Sequence, residues 1–159
     1  MAQFEPAARK VMALEGGYVN DPNDRGGETK FGISKRRYPN EDIRNLTEAR
    51  ALELYRRDFW PPVYGQITYQ AIADKVYDLA VNAGPKRAHE LLQRAAVNLG
   101  KACAVDGAFG PGTLAAVNAI DPAALLAQLQ VEAIRFYAKL AGQPGQAGFL
   151  RGWVNRALS

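Results

Sequence analysis

A helical stripe that runs into a carboxylate and then breaks sets the terms for this chain. Phe4, Ala8 and Val11 recur at i, i+4 and i+7, one face of a helix, and Glu15 is the next member of the series. At about 100° per residue it points almost along the centre of the apolar stripe. A carboxyl aimed at a core from the last turn of a helix has its pKa raised twice, by desolvation and by the negative end of the helix dipole. Gly16-Gly17 then ends the helix and lets other chain approach closely. The loop beyond, from Asn20 through Asp21-Pro22-Asn23-Asp24-Arg25-Gly26-Gly27 to Glu28 and Thr29, has the Gly, Asn, Asp and Pro content of turns. It gathers several carboxylates and a threonine into a short length of chain. Thr29-Lys30-Phe31-Gly32-Ile33 alternates weakly, as a short hairpin does.

A half-buried acid facing a polar loop with a second carboxylate is what glycoside hydrolysis needs. One carboxyl, kept protonated near neutral pH, gives its proton to the leaving oxygen. The other, ionised, activates water or supports the cationic transition state. Glu15 fits the first role. Asp24, nine residues on, and Thr29, five beyond that, fit the second, with Asp21 and Glu28 as rival carboxylates in the same loop. The plain alternatives are a solvated helix end for Glu15, a turn residue for Asp24 and a strand residue for Thr29.

Composition removes other chemistries. There is one histidine, His89, and one cysteine, Cys103, so no intramolecular disulfide forms. A zinc hydrolase needs about three protein ligands, usually His-rich, and no such set exists; no metal or cofactor is expected. Serine or cysteine triads would rest on His89 alone. It lies in Arg87-Ala88-His89-Glu90, among charges, and reads as solvated, while Cys103 reads as a small buried side chain. The 159 residues are 48% apolar and suffice for one good core or two small lobes. The net charge of +4 draws the protein to polyanions. Lys35-Arg36-Arg37 is too short for a nucleic-acid stripe and reads as a solvated face or a contact to an anionic substrate. No stretch approaches the ~20 apolar residues of a membrane span, and the N-terminus lacks the apolar run of a signal peptide. The expectation is a protein made in the cytoplasm and released by another component.

Caps and breakers place the helices. The first covers residues 3–15. A second starts after Thr47, a good N-cap, and runs to about Phe59 before Pro61-Pro62. Trp60 and Tyr64 flank that stop, as sugar-stacking rings at a cleft edge or as core. A third spans Gln70 to Ala83, with Ile72, Val76, Leu79 and Ala80 inward and Gly84-Pro85 after it. Asn82, in its last turn, either hydrogen-bonds an N-acetyl or hydroxyl group or ties down the next loop; Asp78, four residues earlier, shares its face. A fourth covers Lys86 to Asn98. Asp106-Gly107 turns the chain, and Thr113 is placed to cap the next helix. Asp121-Pro122 starts a helix to about Leu140, and Phe149, Trp153 and Val154 mark a final short one. No repeat or linker separates two free domains, and we divide the chain into a catalytic lobe, 1–64, and a helical C-terminal lobe, 65–159, packed as one unit.

Several of these stretches resemble one family. A Glu ending the first helix, then an Asp and a Thr in a small hairpin, is similar to the order in phage-type lysozymes. Glu15-Gly16-Gly17-Tyr18, Asn20-Asp21-Pro22, Asp24-Arg25-Gly26-Gly27, Thr29-Lys30-Phe31-Gly32-Ile33-Ser34 and Tyr77-Asp78-Leu79-Ala80-Val81-Asn82-Ala83-Gly84 resemble glycoside hydrolase family 108. These are N-acetylmuramidases that include phage endolysins and "secretion activator" proteins. Val105 to Thr113 resembles the peptidoglycan-binding modules that form the C-terminal region of that family.

The resemblance implies a mainly α, lysozyme-like fold with a small β-hairpin at the active-site loop. It implies hydrolysis of the β-1,4 bond between N-acetylmuramic acid and N-acetylglucosamine in peptidoglycan. Glu15 is then the general acid, Asp24 with Thr29 places water, and Tyr18, Asn20, Tyr77, Asp78 and Asn82 hold the glycan. The expected partner is peptidoglycan, with no nucleic acid and no stable membrane insertion. A monomeric phage or prophage endolysin, released by a holin or an export system to act in the periplasm and cell wall, fits this picture. A lytic transglycosylase using the same acid, and a non-catalytic wall-binding or secretion-associated protein, are the alternatives.

Overall fold

The computed structural model describes residues 1–15, 17–20 and 27–159, with Ala13, Leu14 and Glu15 described through their backbone alone. The fold is mainly α with one small sheet. Helix α1 (Phe4–Glu15) leads into an antiparallel pair, β1 (Thr29–Lys30) and β2 (Ile33–Ser34). Helix α2 (Glu48–Phe59), a 3₁₀ turn (Pro62–Gln66) and α3 (Gln70–Ala83) follow. The rest is α4 (Pro85–Asn98), α5 (Pro111–Asn118), α6 (Pro122–Ala141), a 3₁₀ turn (Ala147–Phe149) and α7 (Leu150–Leu158). No single helix among the described residues is long and apolar enough to cross a membrane.

The helix ends lie where their local chemistry puts them. Thr47 Oγ1 accepts from the Arg50 N–H at 3.2 Å, satisfying one orphan donor of α2. Asp121 Oδ1 does the same for Ala124 at 2.9 Å, with Pro122 at the first helical position. Gly84, at φ +88°, closes α3 through a bond from its N–H to the Ala80 carbonyl, and Pro85 opens α4 at once.

The apolar stripe of α1 is real: Phe4, Ala8 and Val11 are each at most 4% exposed. It packs on α3, which is buried at nine consecutive positions, Ile72 to Ala80. Trp60 lies edge-on to Phe4, Tyr64 and Tyr77, each ring centre 5.6 Å away. Of the two readings open for Trp60 and Tyr64, the structure selects the core.

Two readings of the fourth and fifth helices are corrected. His89 is not solvated; it is 8% exposed. Its Nε2 sits 2.7 Å from the Tyr64 hydroxyl and its Nδ1 2.9 Å from the Gly107 carbonyl. Of the two neutral tautomers, the one with the proton on Nδ1 satisfies both, donating to the carbonyl and accepting from the phenol. Thr113 does not cap α5, which begins at Pro111; it is buried and its hydroxyl accepts from Gln93 Nε2 at 3.0 Å.

Gln93 is the hub of this region. Its Oε1 accepts from the N–H groups of Asp106 and Gly107, and its Nε2 donates to Asp106 Oδ1 and the Ala108 carbonyl. The Asp-Gly turn therefore clasps α4. Gly107 is at φ +77°, and a Cβ there would lie 2.6 Å from Lys86 Cγ and 3.0 Å from the Lys86 carbonyl oxygen, so glycine is required on both counts.

Burial pulls the His89 pKa below its ordinary 6.5, against the smaller upward pull of the Gly107 carbonyl. The unfolded chain therefore takes up this proton first as the pH falls. The His89 contribution to stability is whole above about pH 6.5 and declines below it. We expect the Tm of the wild type to drop more steeply between about pH 7 and pH 5 than that of His89→Gln, which starts lower and is flatter. Thermal melts across that range check this.

Candidate active site

Helix α1 ends at Glu15. Val19 bridges Thr29 antiparallel, each N–H donating to the other's carbonyl at 2.8 Å. Thr29 also faces Ser34 across the hairpin, so its backbone is held on both sides. The small sheet is thereby tied to the chain four residues after Glu15.

The turn of this hairpin has two residues, Phe31 and Gly32, at φ +51° and +73°. Two positive φ values are what a type I′ turn needs, because its twist matches that of the strands. Gly32 adopts this freely. Phe31 does not, and a bulky residue there stores about 1–3 kcal/mol of strain. The turn is held from below by the Tyr55 hydroxyl of α2, which donates to the Phe31 carbonyl at 2.9 Å. The Phe31 side opens on a hollow of about 290 Å³ lined by Arg9, Met12 and Glu48.

On its other side the hairpin closes a smaller pocket of about 130 Å³ against α2 and the end of α3. Gly32, Arg37, Tyr38, Val81 and Asn82 are among its walls. At ~30 Å³ per water, it has room for a small polar substituent rather than a sugar ring. Arg37 stands with its guanidinium carbon 4.4 Å from the centre of the Phe59 ring, which holds a cation at the rim. Tyr38 donates to Asp58 Oδ2 at 2.8 Å. Burial and that carboxylate push its pKa up to about 12. Arg57, bonded to Asp58 at 2.6 Å, keeps Asp58 ionised as the acceptor.

Asn82 is exposed, yet one end of its amide is fixed: the buried Tyr137 hydroxyl donates to Oδ1 at 2.8 Å. A buried phenol needs an acceptor, so the amide NH₂ is left to donate to a ligand carbonyl.

The other expected site residues divide by surroundings. Tyr18 is 42% exposed and donates to Glu28 Oε1 at 2.8 Å, which raises its pKa; Asn20 is exposed beside it. Thr29 is half-buried and its hydroxyl donates to the Gly27 carbonyl at 3.3 Å. Asp21 and Asp24 lie outside the described residues, as does the side chain of Glu15.

Tyr77 and Asp78 have core surroundings rather than a ligand's. Tyr77 is fully buried between Phe4 and Trp60, and burial raises its pKa. Asp78 is 6% exposed and bonded to Arg156 Nε at 2.8 Å, with Lys75 Nζ at 3.8 Å. Helix spacing does put Asp78 on the Asn82 face, but α7 covers that face. Tyr38 and Tyr55 were not singled out from the sequence. The signal for them was the two-residue Phe31-Gly32 turn, which needs something beneath it.

A larger cavity, about 460 Å³, lies away from the hairpin between α1, α3 and α6. Its charges are paired with one another, Lys10 with Asp74 and Lys75 with Asp78. Among the described residues no group of His, Cys, Asp or Glu could hold a metal ion.

Residues 8–84 match the family model described as Glycosyl hydrolase 108, and residues 87–158 match the one described as Predicted Peptidoglycan domain. The solved structure of Brucella abortus SagA is similar, with a TM-score of 0.77 and 29% identity over 98% of this chain and 89% of that one. No curated protein matches the chain. The two family models meet at the Gly84-Pro85 junction of α3 and α4, later in the chain than the division drawn at residue 64.

Gly32→Ala puts a Cβ at φ +73°. It should lower stability by about 1–2 kcal/mol, read as a Tm drop of a few degrees. Gly110→Ala, with φ −98° and nothing within 4 Å of the added Cβ, should move it much less.

Proposed function

The chain belongs to the glycosyl hydrolase 108 family and is a peptidoglycan hydrolase of the muramidase type, and we propose that it cleaves the β-1,4 bond between N-acetylmuramic acid and N-acetylglucosamine with Glu15 as the general acid. The observation that carries this is the backbone geometry at the end of α1. Within the matched residues 8–84, the helix stops at Glu15 and the hairpin is tied back to the chain four residues later. That ties the strands flanking the polar loop to the chain just after the helix end, which supports reading Glu15 and the loop as one site.

Glu15 gives its proton to the glycosidic oxygen as the bond from C1 to that oxygen breaks. Asp24, with Thr29, takes the proton of a water whose oxygen bonds to C1, and the new muramic end is reducing. A water between the two carboxyls requires roughly 6.5–9.5 Å between them and inverts the anomeric centre; about 5–5.5 Å belongs to retention through a covalent intermediate. Tyr18, Asn20 and Asn82 hold the glycan, the Asn82 amide donating to an acetamido carbonyl. Arg37, at the rim, faces the carboxylates that the polymer carries. Tyr77 and Asp78 act from behind, as packing and as an anchor. We place the activity in the periplasm and cell wall, where the polymer is, as that of a monomeric phage or prophage endolysin released by a holin or an export system.

Glu15→Gln keeps the side-chain shape and removes the titrating proton. On purified sacculi, wild type should release fragments with reducing muramic ends, and the folded variant should lose activity by at least about 10²-fold. Fragments ending in anhydro-muramic acid would instead make the protein a lytic transglycosylase. Equal cutting by both proteins would remove Glu15 from the acid role.

A further inference from the structure

We propose that the exposed ring of Phe149, backed by Trp153 and Tyr137, is a stacking surface for the peptidoglycan glycan strand as it leaves the cleft at Asn82. The proposal rests on the reading that the cleft takes this polymer. Tyr137 on α6 bonds Asn82 through its hydroxyl, and its ring stacks on Trp153 of α7 at 5.7 Å and 16°. Phe149 lies beyond, 5.6 Å from Trp153 and tilted by 33°. The series starts fully buried at Tyr137, is half-buried at Trp153, and ends at Phe149, which is 58% exposed. A buried tyrosine thus carries both the cleft amide and the inner end of an exposed aromatic face.

The chemistry of the surroundings selects the occupant. An exposed ring held in place by rings behind it offers a flat face to the C–H face of a pyranose, and aromatic rings with one wet end are where such ligands rest. Arg156 is taken up by Asp78, but Arg151, two residues after Phe149, is exposed, and residues 142–159 contain no Asp or Glu. Peptidoglycan carries carboxylates on its lactyl and peptide arms, and a basic surface draws them. Tyr137 links this face to the site through Asn82. Asn82 lines the pocket at the hairpin, and the next residues, Ala83 to Arg87, line a shallow depression of about 340 Å³. The Arg87 guanidinium carbon lies 5.4 Å from the Phe136 ring centre, beside Tyr137. The strand therefore has a path from the cleft across the junction of the two family-matched halves.

The test is sedimentation with intact sacculi, in the Glu15→Gln background so that the polymer survives. Phe149→Ala should weaken binding about five- to tenfold, the worth of one stacked ring. Phe149→Trp should bind like the parent. Val97→Ala, which trims an exposed apolar residue of α4, should also bind like the parent. Melting curves confirm that each variant is folded. Parent-like binding by Phe149→Ala overturns the proposal. So does equal weakening by Val97→Ala, which would mean unspecific adhesion. A parent that sediments as a dimer and becomes a monomer on Phe149→Ala, with sacculus binding unchanged, would make the face a contact between copies and overturn it too. Soluble fragments released by the Glu15→Gln parent would count against Glu15 as the acid, whereas parent-like binding by Phe149→Ala counts against the stacking surface, so the two failures are distinguishable.

Discussion

Helix α3 is buried along Ile72 to Ala80, and most of the structure is arranged by what must cover it. A helix enclosed on every side cannot keep its polar residues at a surface. Asp74, Lys75 and Asp78 are all inside. A buried charge that lacks a partner costs several kcal/mol, so each of these specifies a neighbour. Asp74 takes Lys10 of α1. Lys75 donates to the Arg156 carbonyl at 2.7 Å and Asp78 receives Arg156 Nε at 2.8 Å, which fixes α7 on α3. Desolvation pulls the Lys75 pKa down, and Asp78 opposes it. The ionic contacts add little net stability over an apolar substitute, but they exclude other registers of α1 and α7 on the spine.

That arrangement explains how a short, strained hairpin becomes a dependable wall. Two paired residues on each strand do not hold a sheet in water. Here the hairpin is fixed from three sides: by Val19 on its outer edge, by Tyr55 under its turn, and by Lys35, whose N–H donates to the Glu28 carbonyl at 2.8 Å. Strain at Phe31 persists because these contacts over-determine it. The wall then faces the end of α3, whose position is set by the buried spine.

What was legible in the sequence follows from how local each signal is. Thr47, Asp121-Pro122 and Gly84-Pro85 act within a few residues, and the helix ends they announce are the ones observed. The Glu-Gly-Gly-Tyr stretch and the hairpin were legible for the same reason. Periodicity, however, assigns one apolar face to each helix. It does not show that Asp78, placed with Asn82 as a glycan contact, and His89, read as solvated among charges, are buried, because nothing nearby in the chain says that α7 and the 107 loop return to cover them. The side-chain partners of His89 and Gln93 lie 13 to 25 residues away, and Arg156, which donates to Asp78, lies 78 away. Long-range pairing of polar groups leaves no periodic trace, and this is where Tyr55, Tyr137 and Arg156, which hold the hairpin turn and the end of α3, were missed.

The same reasoning bears on how the two family-matched halves cooperate. Residues 87–158 do not hang from the catalytic half by a linker; Gly84 and Pro85 join α3 to α4 with no free residue between them. Tyr137, from the C-terminal half, orients the amide of Asn82 in the N-terminal one, and Arg156 anchors Asp78 one turn earlier on the same helix. A rigid α3 flanked by both contacts cannot tilt its end without breaking a buried charge pair. Polymer held by the C-terminal half is thereby held in a fixed orientation to the hairpin. Holding a substrate in a productive geometry removes translational and rotational freedom ahead of the chemical step. In a polymer substrate that constraint is spread along the strand, and this fold meets it by making the binding half and the cleft parts of one packed core.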